Sequence, residues 1–213
     1  MTKWNFVAAL LVLFSQSAFA DWTKLSSKSF KMIDPPEEGS AAYEKDFEVL
    51  HKYQASRTKA DCNEAYGQLS HTFENFFGPE SGQLTEAQFA KYDELLTKVF
   101  KLTARIGGYY KEKWERPRPY ITDDTLRPCI PKPGPSRSYP STHAALGMVG
   151  GCVMAAALPK LAKQLESHGK RIGDLRLIVG VHHPTDVKAG QKLGKEICER
   201  LLEDTDFLQE LRP

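Results

Sequence analysis

A long amphipathic segment near the middle of the chain sets the fold class. Phe89, Tyr92, Leu96, Val99, Thr103, Ile106 and Tyr110 recur at three-to-four-residue spacing, which places them on one face of a single helix. Thr85-Glu86-Ala87-Gln88 ahead of it has the capping-box form. The helix should run to about Trp114 and stop before Pro117 and Pro119. Gly107-Gly108 allows a bend or the close approach of a neighbour. The stripe reads as core. No other segment alternates like a strand, so the expected architecture is all-α, a single-domain helical bundle.

Around this helix the chain divides readily. Ser40 reads as the cap of a helix carrying Tyr43, Phe47, Leu50 and Gln54. A second helix should carry Cys62, Tyr66, Leu69, Phe73 and Phe76 and end at Gly78-Pro79. Seven prolines between Arg116 and Pro140 destroy any apolar period, and a loop this long in a compact domain is usually functional or disordered. Helix returns over Ser141 to Ala157. It is followed by a short helix from Pro159 to His168 closed by Gly169, another from about Lys170 to Gly180, and a long one from Pro184 to about Glu203. Gly190 and Gly194 on the last helix match the small-residue strip of Gly147, Gly150 and Gly151. Residues 21–39, with Pro35-Pro36, read as an irregular arm before a helical domain over 40–213.

Residues 1–20 have the form of a secretory signal: Lys3, an apolar run from Phe6 to Phe14, and Ala18-Phe19-Ala20 at the cleavage position. Cleavage near Ala20 would place the mature protein in the periplasm or outside the cell. The formal charge of +2 gives no electrostatic reason to expect nucleic acid or an anionic membrane as partner. Ala144 to Leu158 is too short and glycine-rich for a membrane span. Cys62, Cys129, Cys152 and Cys198 include no C-x-x-C pair, so disulfides are expected rather than a zinc site. Three pairings are open. One places Cys152 with Cys198, on helices expected to pack together. Nothing in the sequence decides between a monomer and a homo-oligomer.

Three clusters carry chemistry. In Arg176-Leu-Ile-Val-Gly-Val-His182-His183-Pro184-Thr185-Asp186, a helix starting at Pro184 puts Asp186 in its first turn, within reach of His182. A carboxylate on one imidazole nitrogen fixes the tautomer and frees the other nitrogen to attack. Lys111 and Arg118 lie at the end of the long helix and just past it. Ser141, Thr142 and His143 lie at a helix start, where free N–H groups favour anions. Three cations, oriented N–H donors and two unlike imidazoles suit in-line phosphoryl transfer, in which negative charge spreads over the equatorial oxygens. Of His143 and His182, only His182 is expected to be backed by Asp186. His183 reads mainly as a cap, and His51, His71 and His168 as surface residues.

Lys111-(six residues)-Arg118-Pro119, Pro140-Ser141-Thr142-His143 and Arg176-(five residues)-His182-(three residues)-Asp186 closely resemble, in order and spacing, the three-part signature of the type 2 phosphatidic acid phosphatase superfamily. That superfamily is related to vanadium haloperoxidases. The exported, non-spanning chain is similar to the soluble class A bacterial non-specific acid phosphatases. The resemblance implies that His182 is a nucleophile forming a phosphohistidine, that Asp186 orients it, and that His143 is the acid and then the base. It implies that Lys111, Arg118, Arg176, Ser141 and the backbone at Thr142 bind phosphate, and that no metal or other cofactor is needed. Two positions depart from the family pattern: Thr142 stands where glycine is usual, and Leu175 where serine is usual.

The substrate expected is a phosphorylated small molecule. A lipid or isoprenoid (di)phosphate is the alternative, with Tyr109, Tyr110, Trp114 and Tyr120 as an apolar approach. A non-catalytic phosphate-binding module is a third reading. A haloperoxidase is disfavoured by the short chain. A metal site at His182, His183 and Asp186 is disfavoured by the surrounding cations.

Overall fold

The structure, a computed structural model, describes residues 21–133 and 137–212. The signal sequence read over residues 1–20 lies outside the described residues. The helices are α1 (Ala41–Ser56), α2 (Lys59–Gly67), α3 (Phe73–Ser81), α4 (Glu86–Trp114), α5 (Pro119–Thr122), α6 (Thr142–Ala157), α7 (Ala162–Ile178), α8 (Pro184–Glu203) and α9 (Thr205–Leu211). Among the described residues there is no strand, and the fold is an all-helical single-domain bundle.

The apolar, Ala- and Gly-rich α6 is buried along most of its length and forms the centre, with α7, α8 and α4 packed around it. Close backbone contact explains the small residues. A Cβ on Gly169 would lie 2.3 Å from the Gly147 carbonyl oxygen, and one on Gly190 would lie 2.2 Å from that of Ser141. Gly169 therefore does not end a helix as the sequence suggested. It lets α7 cross α6, and α7 runs unbroken from Ala162 to Ile178.

The long helix keeps its expected limits. Thr85 and Gln88 form the capping box, and the helix ends at Glu115 in the left-handed region, φ 50°. Tyr92, Leu96, Val99, Thr103, Ile106 and Tyr110 are all buried. The arm is less irregular than expected: Trp22–Lys24 and Ser27–Ser29 are short 3-10 turns. Trp22 and Phe30 enter the main core.

The expected second helix is in fact two. It breaks after Gly67 and resumes at Phe73. The second half passes through Gly78-Pro79 to Ser81, with Phe77 in a non-helical conformation (φ −131°, ψ 25°). Tyr66 and Leu69, placed on the buried face by periodicity, are 60% and 38% exposed. The intervening residues 68–72 reach the site described below. Helix α9, absent from the sequence reading, is capped by Asp204 and buries Phe207 and Leu211.

Two disulfides cross-link the fold. Cys152–Cys198 joins α6 to α8, and Cys62–Cys129 ties the proline-rich loop to α2. They close loops of 46 and 67 residues respectively, each stabilising by roughly 4 kcal/mol through the unfolded chain's lost entropy. Among the described residues no helix is long and apolar enough to cross a membrane.

Candidate active site

Local rules bring the third sequence cluster together. Helix α7 ends at Ile178, and the chain turns away at Gly180, whose φ of +79° suits a residue without a side chain. The turn is closed by Gly180 N–H to Leu177 O (2.9 Å), and by Val181 and His182 N–H to Arg176 O (3.1 and 3.3 Å). Pro184 then starts α8 at its first position. His182 is thus held between two helix ends, buried, with Asp186 one turn away.

Arg118 Nη1 lies 2.9 Å from His182 Nε2 and donates to the Val181 carbonyl at 2.8 Å. A guanidinium only donates, so Nε2 accepts and the ring proton belongs on Nδ1. Nδ1 faces Asp186 Oδ2 at 3.4 Å. Burial, followed by the nearby Arg118 charge, holds the His182 imidazole well below its usual pKa. It is neutral, with Nε2 as the available lone pair.

Asp186 faces His182 and not His143, and it holds further partners. Its Oδ2 accepts from the His183 N–H at 2.8 Å and lies 3.0 Å from His183 Nδ1. Its Oδ1 accepts from Arg116 Nη1 at 2.7 Å. Arg116 also donates to Thr185 Oγ1 (2.7 Å) and, through Nη2, to Asp46 Oδ2 (3.0 Å). Asp46 in turn accepts from the Thr185 N–H at 3.1 Å. Burial favours the neutral acid at Asp186, but His183, the hydrogen bonds from both histidines and Arg116 outweigh it and hold the carboxyl well below its ordinary range. His183 is the N-cap of α8, packed beside the rings of Tyr43 and Phe47. Helix α1 therefore braces the carboxylate rather than merely covering the core.

The other side of the site is assembled by the break between α2 and α3. His143, in the first turn of α6, has its Nε2 3.1 Å from the Gln68 carbonyl and 3.1 Å from His71 Nε2. The Gln68 side chain accepts from Arg176 Nη2 at 3.3 Å, and the Ala65 carbonyl accepts from the same nitrogen at 3.0 Å. Burial, then Arg176, depresses both His143 and His71. His71 is therefore not an ordinary surface residue. His51 pairs with Asp123 at 2.8 Å, and the half-buried His168 rests on Phe77.

Lys111, Arg118, Thr142, His143, Arg176 and His182 line one cavity of about 230 Å³ with Leu69, His71, Ile130, Pro133 and Val181. Lys111 donates to the Arg137 and Ser138 carbonyls at 2.8 and 3.2 Å. Burial and then repulsion by Arg118 bring its pKa down to about 7. Arg176 falls to about 10, mainly through burial. Asp186 and Ser141 stand behind the lining. Ser141 is fully buried, caps α6 by accepting from the Ala144 N–H at 3.3 Å, and donates its own N–H to the Asp186 carbonyl at 2.9 Å. The first-turn N–H groups of Thr142 and His143 lack intrahelical acceptors.

The two departures differ in consequence. Thr142 lines the cavity, and a Cβ on Gly107 of α4 would meet its Oγ1 at 3.2 Å. Gly107 thus makes room for the larger side chain. Leu175 is buried in a second apolar cluster with Leu50, Ala65 and Tyr120, away from the lining. None of Tyr109, Tyr110, Trp114 and Tyr120 lines the cavity. Tyr110 stacks on Trp114 at 5.3 Å and donates to the Ser27 carbonyl at 2.8 Å, while Tyr120 packs in the second cluster.

Asp46, Gln68, His71 and Arg116 were missed by sequence reasoning. Arg116-Pro117-Arg118-Pro119 repeats the Arg-Pro pair and offered a signal for Arg116. The others lay within apparent amphipathic helices and offered none. Among the described residues, no group of three or more His, Cys, Asp and Glu is arranged to hold a metal ion.

Fold and cavity together define an all-helical bundle whose site pairs imidazoles with buried cations. The chain belongs to the PAP2 superfamily, whose pattern matches residues 95–195. The non-specific acid phosphatase of Salmonella typhimurium is 30% identical over 190 residues, covering 82% of this chain and 73% of that protein. The acid phosphatase of Zymomonas mobilis is 25% identical over 189 residues, covering 84% and 71%. With these relatives the chain is an acid-phosphatase-like hydrolase. A bacterial vanadium-dependent iodoperoxidase shares the fold at TM-score 0.66 and 14% identity over 86% of this chain, which spans 56% of the iodoperoxidase. The PAP2 type phosphatidylglycerolphosphate phosphatase of Bacillus subtilis matches at TM-score 0.57 and 21% identity, covering 79% of this chain and 88% of that one.

Proposed function

We propose that this protein is an exported, metal-independent phosphomonoesterase of the class A bacterial acid phosphatase kind, working through a phosphohistidine on His182. The observation that carries the reading is the convergence of Lys111, Arg118, Arg176, Thr142, His143 and His182, from three separated stretches of chain, on one cavity.

The phosphate enters among Lys111, Arg118 and Arg176, which balance the charge on its oxygens. Arg118 leaves His182 Nε2 for a phosphate oxygen and so uncovers the lone pair. His182 Nε2 bonds to phosphorus as the ester P–O bond breaks, and His143 gives the leaving oxygen its proton. Water then attacks the phosphohistidine. Its proton passes to His143, the P–N bond breaks, and phosphate leaves. Asp186 supports the positive charge on His182 while the P–N bond exists. Ser141 fixes the start of α6, and with it the N–H groups of Thr142 and His143. Export is supported by the signal-like residues 1–20 and by two disulfides, which persist in oxidising compartments.

The test is hydrolysis of an aryl phosphate with excess chelator, inhibition by vanadate, and capture of an acid-labile phosphoenzyme that His182→Ala cannot form. Undiminished turnover by that variant would refute the assigned nucleophile. Phosphate binding without any hydrolysis would favour a binding module instead. The apolar rim of Leu69, Ile130 and Pro133 favours an apolar leaving group, so a lipid phosphate in detergent is the substrate to compare with a water-soluble monoester.

A further inference from the structure

The steps above leave one titratable side chain at the cavity unused. His71, on the 68–72 connection, brings its Nε2 to 3.1 Å from His143 Nε2, with the rings nearly perpendicular at 79° and their centroids 4.3 Å apart. Two imidazole nitrogens at that distance need one proton between them. The Gln68 carbonyl, 3.1 Å from the same His143 nitrogen, can only accept. In the resting state His143 therefore carries its proton on Nε2, and His71 presents a lone pair there. The nitrogen of His143 left for substrate is Nδ1, which then has no proton to give. The acid role requires one more proton on the pair.

We propose that His71 is the proton-relay and positioning residue for His143, storing on its own more exposed ring the proton that His143 delivers to the leaving group. This deepens the hydrolase reading and rests on it. Added charge is less costly where water reaches the ring, and His71 is more exposed than His143. With one extra proton on the pair, His71 is protonated on both nitrogens and His143 is the Nδ1–H tautomer, whose Nε2 accepts from His71 and for that interval gives up its bond to the Gln68 carbonyl. As His143 Nδ1 gives its proton to the departing oxygen, the His71 Nε2 proton moves to His143 Nε2, which restores the resting pair. When water attacks, its proton arrives on His143 Nδ1 and the Nε2 proton returns to His71. Protons balance over the cycle. Arg176 from α7 faces the pair and opposes its charging, while His182, from the turn before α8, faces it as a neutral ring. The dianionic substrate, seated against Arg176, offsets that repulsion.

The experiment compares kcat/KM for an alkyl phosphate, whose leaving group needs a proton, with that for p-nitrophenyl phosphate, whose leaving group does not. His71→Gln keeps hydrogen-bonding capacity but cannot titrate; His71→Ala opens space for free imidazole. The alkyl ester should lose about tenfold or more, the nitrophenyl ester less than about threefold. The pH profile for the alkyl ester should shift, and added imidazole should restore its turnover in His71→Ala. Equal losses on both esters with an unmoved pH profile would show His71 to be only part of the wall, and would overturn the relay. Failure of the wild-type protein to hydrolyse either ester would sink the hydrolase reading itself, and the relay with it.

Discussion

The ring of His182 is enclosed by charge, whereas that of His143 meets a carbonyl and a second imidazole. Around His182, Arg118 holds one nitrogen and Asp186 faces the other, and Asp186 is fixed by Arg116, which is fixed by Asp46. Every member of that chain is buried. Around His143 there is Gln68, then His71, then solvent. The difference suits the roles proposed for the two rings. A nucleophile needs one tautomer, kept in place between turnovers. An acid that becomes a base changes its proton count twice per cycle, and a carboxylate beside it would hold the proton too firmly.

The comparison breaks most sharply at His182. His182→Ala should lower single-turnover cleavage by about 10⁴-fold or more, leaving phosphate affinity nearly unchanged, as rapid-quench and equilibrium dialysis would show. Next comes the brace. Arg116→Met leaves Asp46 and Asp186 buried without a cation and should cost about 3–5 kcal/mol in denaturant unfolding; an unchanged midpoint would mean the network adds no stability. His143→Gln should do the reverse, lowering alkyl phosphate turnover by roughly 10²–10³-fold while the unfolding midpoint stays within error.

The smallest effect concerns Lys111. Its pKa near 7 means that it is charged below that pH and neutral above it. The kcat/KM profile should therefore fall about tenfold per unit on the alkaline side of 7, and the limb in kcat should lie higher, because bound dianion favours the charged amine. Lys111→Gln should remove that limb. A limb that persists in Lys111→Gln would assign it to another group.

Much of this was readable before the fold was known. The Phe89–Tyr110 stripe, the Thr85 cap, Pro184 at a helix start and the small-residue strips of α6 and α8 are local signals, and each survives in the structure. The lining residues Lys111, Arg118, Thr142, His143, Arg176 and His182 share one cavity, as their spacing implied. What failed was local inference at positions decided by packing. Gly169 reads as a stop but serves a helix crossing. Tyr66 and Leu69 sit at core spacing, yet Tyr66 faces outward and Leu69, on the break at residues 68–72, lies at the cavity rim. That break hid Gln68 and His71, and the distance in sequence between Asp46, Arg116 and Asp186 hid their pairing.

Arg118 sits on the lone pair that phosphorus must reach in the proposed mechanism. The resting nucleophile is latched, and the latch responds to anions, since only a negatively charged group draws the guanidinium away. A neutral electrophile carries no such key. Diethyl pyrocarbonate should accordingly modify His182 slowly in the wild-type protein and readily in Arg118→Ala, so that selectivity for anionic esters begins at the nitrogen itself, before the leaving group is recognised at all.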